Sequence, residues 1–278
     1  MMPPQSKLCL PPPALASCAA AAVYRDTTGV TLAAQDRLNY FPATPLFTVT
    51  RVFEGQLHMA KGVVDMQALT AQPPLARVSA NPPHAYPICS WSPSGLRAAT
   101  VAIYPDAWLA LGGSLDAKTP PPAIMEAMTN ASPAAPAFWS EVCAHLAPHW
   151  HQARQDRPPL IGGSGSHRLA DWARHITTRA ALSGTGRSMR SIERRLRHWT
   201  GQTAQSLAFF AKVEDLHVYR TQNPQASLAE IAAIADFSDQ SHMGRAVKRA
   251  TGFSPARLNQ LIDTQEPFWC YRLLAERF

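Results

Sequence analysis

The chain has 278 residues, 46% of them apolar, and a net charge of +7; that length suits about two domains at ~100–200 residues each. No apolar run reaches the ~18 residues of a membrane span, so no membrane partner is expected. Cys9, Cys18, Cys89, Cys143 and Cys270 form no CxxC pair, which argues against a zinc site or a disulfide framework and for a reducing, cytoplasmic compartment.

The charge is uneven. Residues 168–278 hold 16 of the 26 Lys and Arg and 10 of the 19 Asp and Glu, so +6 of the net +7 lies there. A basic surplus on one part of a chain favours a polyanionic partner.

Residues 1–22 are rich in Pro and Ala and predict a flexible leader. The LASC at 15–18 resembles a lipoprotein cleavage box, but Pro11, Pro12 and Pro13 interrupt the apolar stretch such a signal requires. From about 30 to 105 the pattern is that of strands, most clearly LFTVTRVF at 46–53 and RAATVAIY at 97–104. From 121 to 150 it becomes helical, with Ile124, Met125 and Met128, then Phe138, Val142 and Leu146. His145, His149 and His151 lie close in sequence, but Pro148 is expected to break the helix that would align them, so no metal or cofactor is expected. RPPLIGGSGS at 157–166 predicts a linker. Beyond it, helices are predicted at about 168–182, 188–199, 203–221, 227–235, 239–250, 255–263 and 266–276.

The helical part contains a repeat at an offset of 51. IERRLRHWTGQTAQSL from Ile192 aligns with MGRAVKRATGFSPARL from Met243, matching Arg194 to Arg245 and Thr200-Gly201 to Thr251-Gly252. Each copy is a basic helix ending at a glycine that tolerates the left-handed conformation of a C-cap. Upstream of the second copy, Ser227 and Glu230 have the spacing of a capping box. Leu228, Ile231, Ala232 and Ala235 form an inner stripe, Phe237 plugs the corner, and Met243 and Val247 line the inside of the next helix. Its outer face carries Ser238, Gln240, Ser241, His242, Arg245 and Lys248. Arg pairs bidentately with guanine and Gln with adenine, while Ser, His and Lys reach phosphates.

In the first copy the leading helix RLADWARHITTRAALS and the turn GTGRS precede SMRSIERRLRHWTG. Ser188 is its expected N-cap; Met189, Ile192 and Leu196 are expected inside. Arg187, Ser188, Arg190, Ser191, Glu193, Arg194 and Arg197 are the candidates for the DNA face. Glu193 either accepts from a cytosine amino group or orients Arg194 or Arg197. The stretch TAQSLAFFAKVEDLHVYRTQ reads as one long helix joining the copies. Two recognition helices entering successive major grooves stand about 34 Å apart, one DNA turn, and a stiff connector would hold that spacing.

IAAIADFSDQSHMGRAVKRATGFSP at 231–255 and SMRSIERRLRHWTG at 188–201 resemble the AraC-type family of bacterial transcriptional regulators. The resemblance covers roughly 168–265. It implies an α+β multidomain protein, with a β-rich N-terminal sensing or dimerisation domain. An all-α C-terminal domain would follow, with two helix-turn-helix units joined by a linker helix. The expected division is a leader at 1–22, an effector or dimerisation domain at 23–156, a linker at 157–167 and a DNA-binding domain at 168–278. The expected partners are double-stranded DNA, a small effector whose binding residues are unassigned, RNA polymerase and a second copy of the chain. Asp236 replaces the usual turn glycine, and Met243 and Val247 replace usual aromatics, thinning the core of the second unit. The tail EPFWCYRLLAERF is expected to pack back on the module. The alternative reading is an enzymatic or thiol- or metal-sensing N-terminal domain, with Cys89 near His84 as its thiol, fused to the DNA reader.

Overall fold

The computed structural model describes residues 3–116, 118–155, 168–184, 188–235 and 237–275. The linker expected at 157–167, Arg187 and Asp236 lie outside the described residues.

The N-terminal half is built on two antiparallel sheets. The larger has the order β1 (Gln5–Cys9), β2 (Ala19–Asp26), β8 (Arg97–Ile103), β4 (Phe47–Glu54) and β6 (Val78–Asn81). The smaller joins β3 (Leu38–Phe41), β7 (Ile88–Trp91) and β5 (His58–Lys61). Strands β4 and β8 form where β-branched residues alternate, and Thr50 faces Thr100 across their register with hydroxyls 2.9 Å apart. Five helices follow the strands or interrupt them: α1 (Met66–Thr70), α2 (Pro105–Ala110), α3 (Pro122–Asn130), α4 (Ala135–Gln155) and then α5 (Leu169–Leu182).

Two expectations fail here. The supposed leader is part of the sheet: β2 lies between β1 and β8, and Ala19 to Ala22 are buried. The alanines suit a strand pressed on both sides, and the composition that suggested a leader reflects tight packing instead. Nor does Pro148 break its helix; α4 runs through it. Pro148 is exposed, so water can satisfy the carbonyl that loses its helical donor.

The helical half continues with α6 (Met189–Thr200), α7 (Ala204–Gln222), α8 (Leu228–Ile234), α9 (Gln240–Thr251), α10 (Pro255–Thr264) and α11 (Trp269–Ala275). These bounds fall within a residue or two of the predicted ones, except that residues 266–268 form a short 3-10 turn ahead of α11.

The hydrophobic core does not divide where the linker was expected. Trp172, Ile176, Ala180 and Leu196 of the first helix-turn-helix unit share one buried cluster with Tyr104, Trp108, Phe138 and Leu146. Trp172 stacks on Tyr104 at 5.1 Å and its indole N–H donates to Asp106, which also pairs with Arg179 at 3.6 Å. The second unit has its own cluster, built from Ile231, Ala232, Phe237, Met243, Val247, Leu258 and Phe268, with Tyr40 of β3 packed on it.

The tail packs differently from expectation. It touches α10 but also closes over β1 and β3: Trp269 and Leu273 bury against Leu8, Val23 and Phe41. Arg25, buried in β2, pairs with Glu266, and its guanidinium lies 4.9 Å from the Trp269 ring. The Trp269 indole N–H donates to Asn39 at 2.7 Å. Removing one partner of a fully buried pair costs about 3–5 kcal/mol. Glu266 keeps 30% of its side chain exposed, so Arg25→Met should cost less, about 2–3 kcal/mol. Chemical denaturation checks this; an unchanged midpoint would show that the pair does not fasten the tail.

Candidate nucleic-acid interface

Each recognition helix is set by its ends. Ser188 caps α6 through its side chain to the Ser191 N–H, and Asp239 caps α9 by accepting from the His242 N–H at 2.6 Å. Gly201 and Gly252 close the two helices at φ of 71° and 86°, where a β-carbon would be strained. The leading helix α8 carries the expected capping box: Glu230 N–H donates to the Ser227 hydroxyl, and Ser227 N–H to the Glu230 carboxylate. Those bonds hold the Glu230 carboxyl below its ordinary range, and the His242 N–H does the same for Asp239. Ser254 makes no side-chain cap for α10, which starts on Pro255 instead.

The candidate contact residues sort as follows. On α6, Ser188, Arg190, Arg194 and Arg197 are exposed, and Ser191 is partly so. Glu193 is engaged within the unit: it accepts from the Ala204 N–H at 3.2 Å and lies 3.5 Å from Arg197. Of the two readings for Glu193, this geometry matches the orienting one. Arg190 and Arg194 have no ion-pair partner among the described residues. Around α9, Ser238, Gln240, Ser241, His242, Arg245 and Lys248 are all exposed. Ser238 lies 3.1 Å from His242 Nδ1, and the His242 ring meets Phe237 edge-on at 5.2 Å. Arg245 and Lys248 also have no ion pair among the described residues. Each helix therefore offers water a row of exposed cations, with Glu193 beside Arg197 on α6 and Asp239 near Arg245 on α9.

Met189 departs from expectation. It was placed inside by helical periodicity, yet 76% of it is exposed. It is the first residue of α6, and the core beneath that face begins one turn later with partly buried Ile192 and reaches full burial two turns on at Leu196.

Sequence reasoning missed a cavity of about 300 Å³ between the halves. One wall is the face of the large sheet, with Ala21, Val23, Thr48 and Ala102; a second is the Phe41–Leu46 stretch with Met59, His84 and Ile88; Leu169 of α5 and residues of α7 to α11 form the rest. Met243 and Val247 line it, so the space opens where the second unit lacks aromatic side chains. The one sequence signal for it was that substitution. Its walls are mostly apolar. The Tyr271 hydroxyl is buried without a hydrogen-bond partner. Arg220 also reaches the cavity and has no ion-pair partner among the described residues. The polar lining also includes Glu214, Asn81, Asn259 and several threonines, with His217 and His84 each bonded to a backbone carbonyl, of Tyr271 at 3.1 Å and of Tyr86 at 2.7 Å.

The thiols are inaccessible. All five cysteines are free and buried, and burial pushes those of Cys143 and Cys270 up to about 12. Thiols so far from ionisation are poor nucleophiles and ligands. Among the described residues no three His, Cys, Asp or Glu side chains are grouped to hold a metal, and no described helix is long and apolar enough to cross a membrane.

Burial lowers the pKa of His84, His175 and His217 below the ordinary histidine value. Their folded-state values are depressed, so the unfolded chain binds protons first. Their contribution to stability is complete above about pH 6.5 and is lost as pH falls from there through the folded values. The unfolding midpoint should therefore drop on acidification from about pH 7 toward 5. His217→Gln should flatten that drop, and an identical slope in the variant would exclude His217 as a contributor.

Comparison with known proteins adds a family match. Residues 182–260 match a family model described as a helix-turn-helix domain. No curated protein matches the sequence. Among solved structures, ToxT from Vibrio cholerae O395 is similar at a TM-score of 0.39 and 9% identity, covering 94% of this chain and 98% of that one. Wild-type ToxT of V. cholerae strain SCE256 with bound unsaturated fatty acid gives 0.35 and 8%, covering 79% and 93%. O395 ToxT bound to (E)-4-(8-methylnaphthalen-1-yl)but-3-enoic acid gives 0.38 and 7%, covering 98% and 100%.

Proposed function

We propose that this chain, whose residues 182–260 form an AraC-type helix-turn-helix domain, regulates transcription by reading duplex DNA with α6 and α9 under the control of a small, mostly apolar ligand. The observation that carries the DNA reading is the pair of capped basic helices, each with exposed Arg side chains outside any close ion pair among the described residues. Arg190, Arg194, Gln240, His242 and Arg245 are the base readers; Ser188, Ser191, Ser238, Ser241, Arg197 and Lys248 serve phosphates and register. Glu193 acts by orienting Arg197 and tying α6 to the start of α7. Arg187, which directly precedes the Ser188 cap in sequence, belongs with the phosphate contacts.

The cavity supports the ligand control. Its volume lies at the low end of small-molecule sites, and apolar walls with a few convergent polar groups are their usual composition. The Tyr271 hydroxyl can donate to a ligand oxygen and Arg220 can neutralise an anionic head, so the fitting class is an elongated apolar molecule with one acceptor or anionic end. The effector was expected within the N-terminal domain. The cavity that supports it draws its walls from both halves, including the inner face of α9.

Two experiments follow. A duplex is first selected from random sequence with the full chain. Arg194→Ala and Arg245→Ala should each weaken it by about 1–3 kcal/mol and relax preference at one position. Lys248→Ala should weaken all duplexes alike and reduce the salt dependence. Unchanged affinity in both arginine variants would overturn the site assignment. For the cavity, the fluorescent probe 8-anilinonaphthalene-1-sulfonate should bind the native chain, and Val247→Phe, which fills the space, should abolish binding. Tyr271→Phe should weaken it about 2–10-fold, the worth of one hydrogen bond. Equal binding by all three proteins would place the probe elsewhere and remove the cavity as the ligand site.

A further inference from the structure

Both recognition helices end against one short stretch of the N-terminal half. The Ala43 N–H donates to the carbonyl of Ala250, in the last turn of α9, at 2.7 Å. Two residues on, the Pro45 carbonyl accepts from Gln202 Nε2 at 2.9 Å. Gln202 directly follows the Gly201 cap of α6 and is buried, with its backbone N–H held by the Thr200 hydroxyl at 3.1 Å. Consecutive Cα atoms are 3.8 Å apart, so the two anchor points stand within about 8 Å of each other.

The stretch is stiff. Pro42 and Pro45 fix two of its φ angles, and Thr44 is bonded in both directions to the backbone of His84. The glycine caps themselves also abut this half: a β-carbon at Gly252 would stand 2.5 Å from Val63, and one at Gly201 would stand 3.6 Å from Leu115.

The linker helix α7 is therefore not the only thing that spaces α6 from α9. We infer that the Pro42–Pro45 stretch, acting through Gln202 on one side and Ala250 on the other, is a bracket that positions the two recognition helices relative to each other. Gln202 is a positioning residue: it acts through the end of α6 and is not itself a contact to DNA. The helices, α7 and the bracket form a closed frame, and a closed frame admits one separation and one angle. Pro42, Ala43, Thr44 and Leu46 also line the cavity, so an occupant of the cavity presses on the bracket from behind. This inference rests on the DNA-reading function proposed above and says where control of it is exerted.

The test is spacing tolerance, which a purely structural role would not alter. The full chain selects a duplex with two subsites, and base pairs are then added or removed between them. One base pair turns the second subsite by about 34°. The native chain should lose about tenfold or more per base pair, because simultaneous engagement fails when geometry forbids it. Gln202→Met keeps the side-chain length and removes the donor. Pro42→Gly with Pro45→Gly keeps both hydrogen bonds and softens the bracket. Both variants should lose less than about threefold per base pair while binding each isolated subsite as the native chain does. If Gln202→Met fails to fold, the double-glycine variant decides. Spacing profiles that superimpose on the native one would overturn the bracket while leaving the DNA reading intact. A native chain that selects no duplex would overturn both.

Discussion

The first helix-turn-helix unit has no core of its own. Ile176 and Leu196 are fully buried in a cluster that runs on into Trp108, Phe138 and Leu146 of the N-terminal half. Apolar burial is worth roughly 25 cal/mol per Å², and α5 and α6, though they pack on each other and on α7, reach full burial only with the sheet and α2–α4 in place. The orientation of α6 is thus a property of the whole chain. The second unit is more self-sufficient, but it too leans on β3 through Tyr40, and the tail clamps it there with Arg25, Glu266 and Trp269.

This dependence bears on where the proposed ligand site lies. A cavity inside one domain would need a mechanical route to the recognition helices. Here the route is contact: α9 carries the proposed contact residues on its exposed side and lines the cavity with Met243 and Val247 on the other. Cores fill to high density, and a ligand lying against the apolar lining of the cavity gains dispersion contacts with it. A ligand that supplies those contacts stabilises whichever arrangement of α9 encloses it, and the shift it can cause equals its differential affinity for the two arrangements.

Local signals in the sequence were dependable because they encode local physics. Ser227 with Glu230, Ser188, Gly201 and Gly252 act within one helical turn, and the structure places each at the expected terminus. The contact faces of α6 and α9 follow from the same periodicity. What was illegible depends on partners distant in the chain. Ala19–Ala22 reads as a leader until β1 and β8 flank it. Met189 fits the inner stripe, yet it lies exposed at the first turn of α6, ahead of the core that starts at Ile192. Pro148 breaks an isolated helix but is tolerated where its neighbours face water. Gln202, Tyr271 and Arg220 carry no motif, since their roles come from what stands opposite them. The thinned core at Val247 was visible as a residue type, and only the sheet face across from it turns that deficit into a site.

The central claim is that two basic helices of one chain read one face of a duplex together. Hydroxyl-radical footprinting of the full chain on its selected duplex tests this most directly. The account predicts two protected patches on the same face of the helix, centred about 10.5 base pairs apart. A single patch, or two patches on opposite faces, would contradict it.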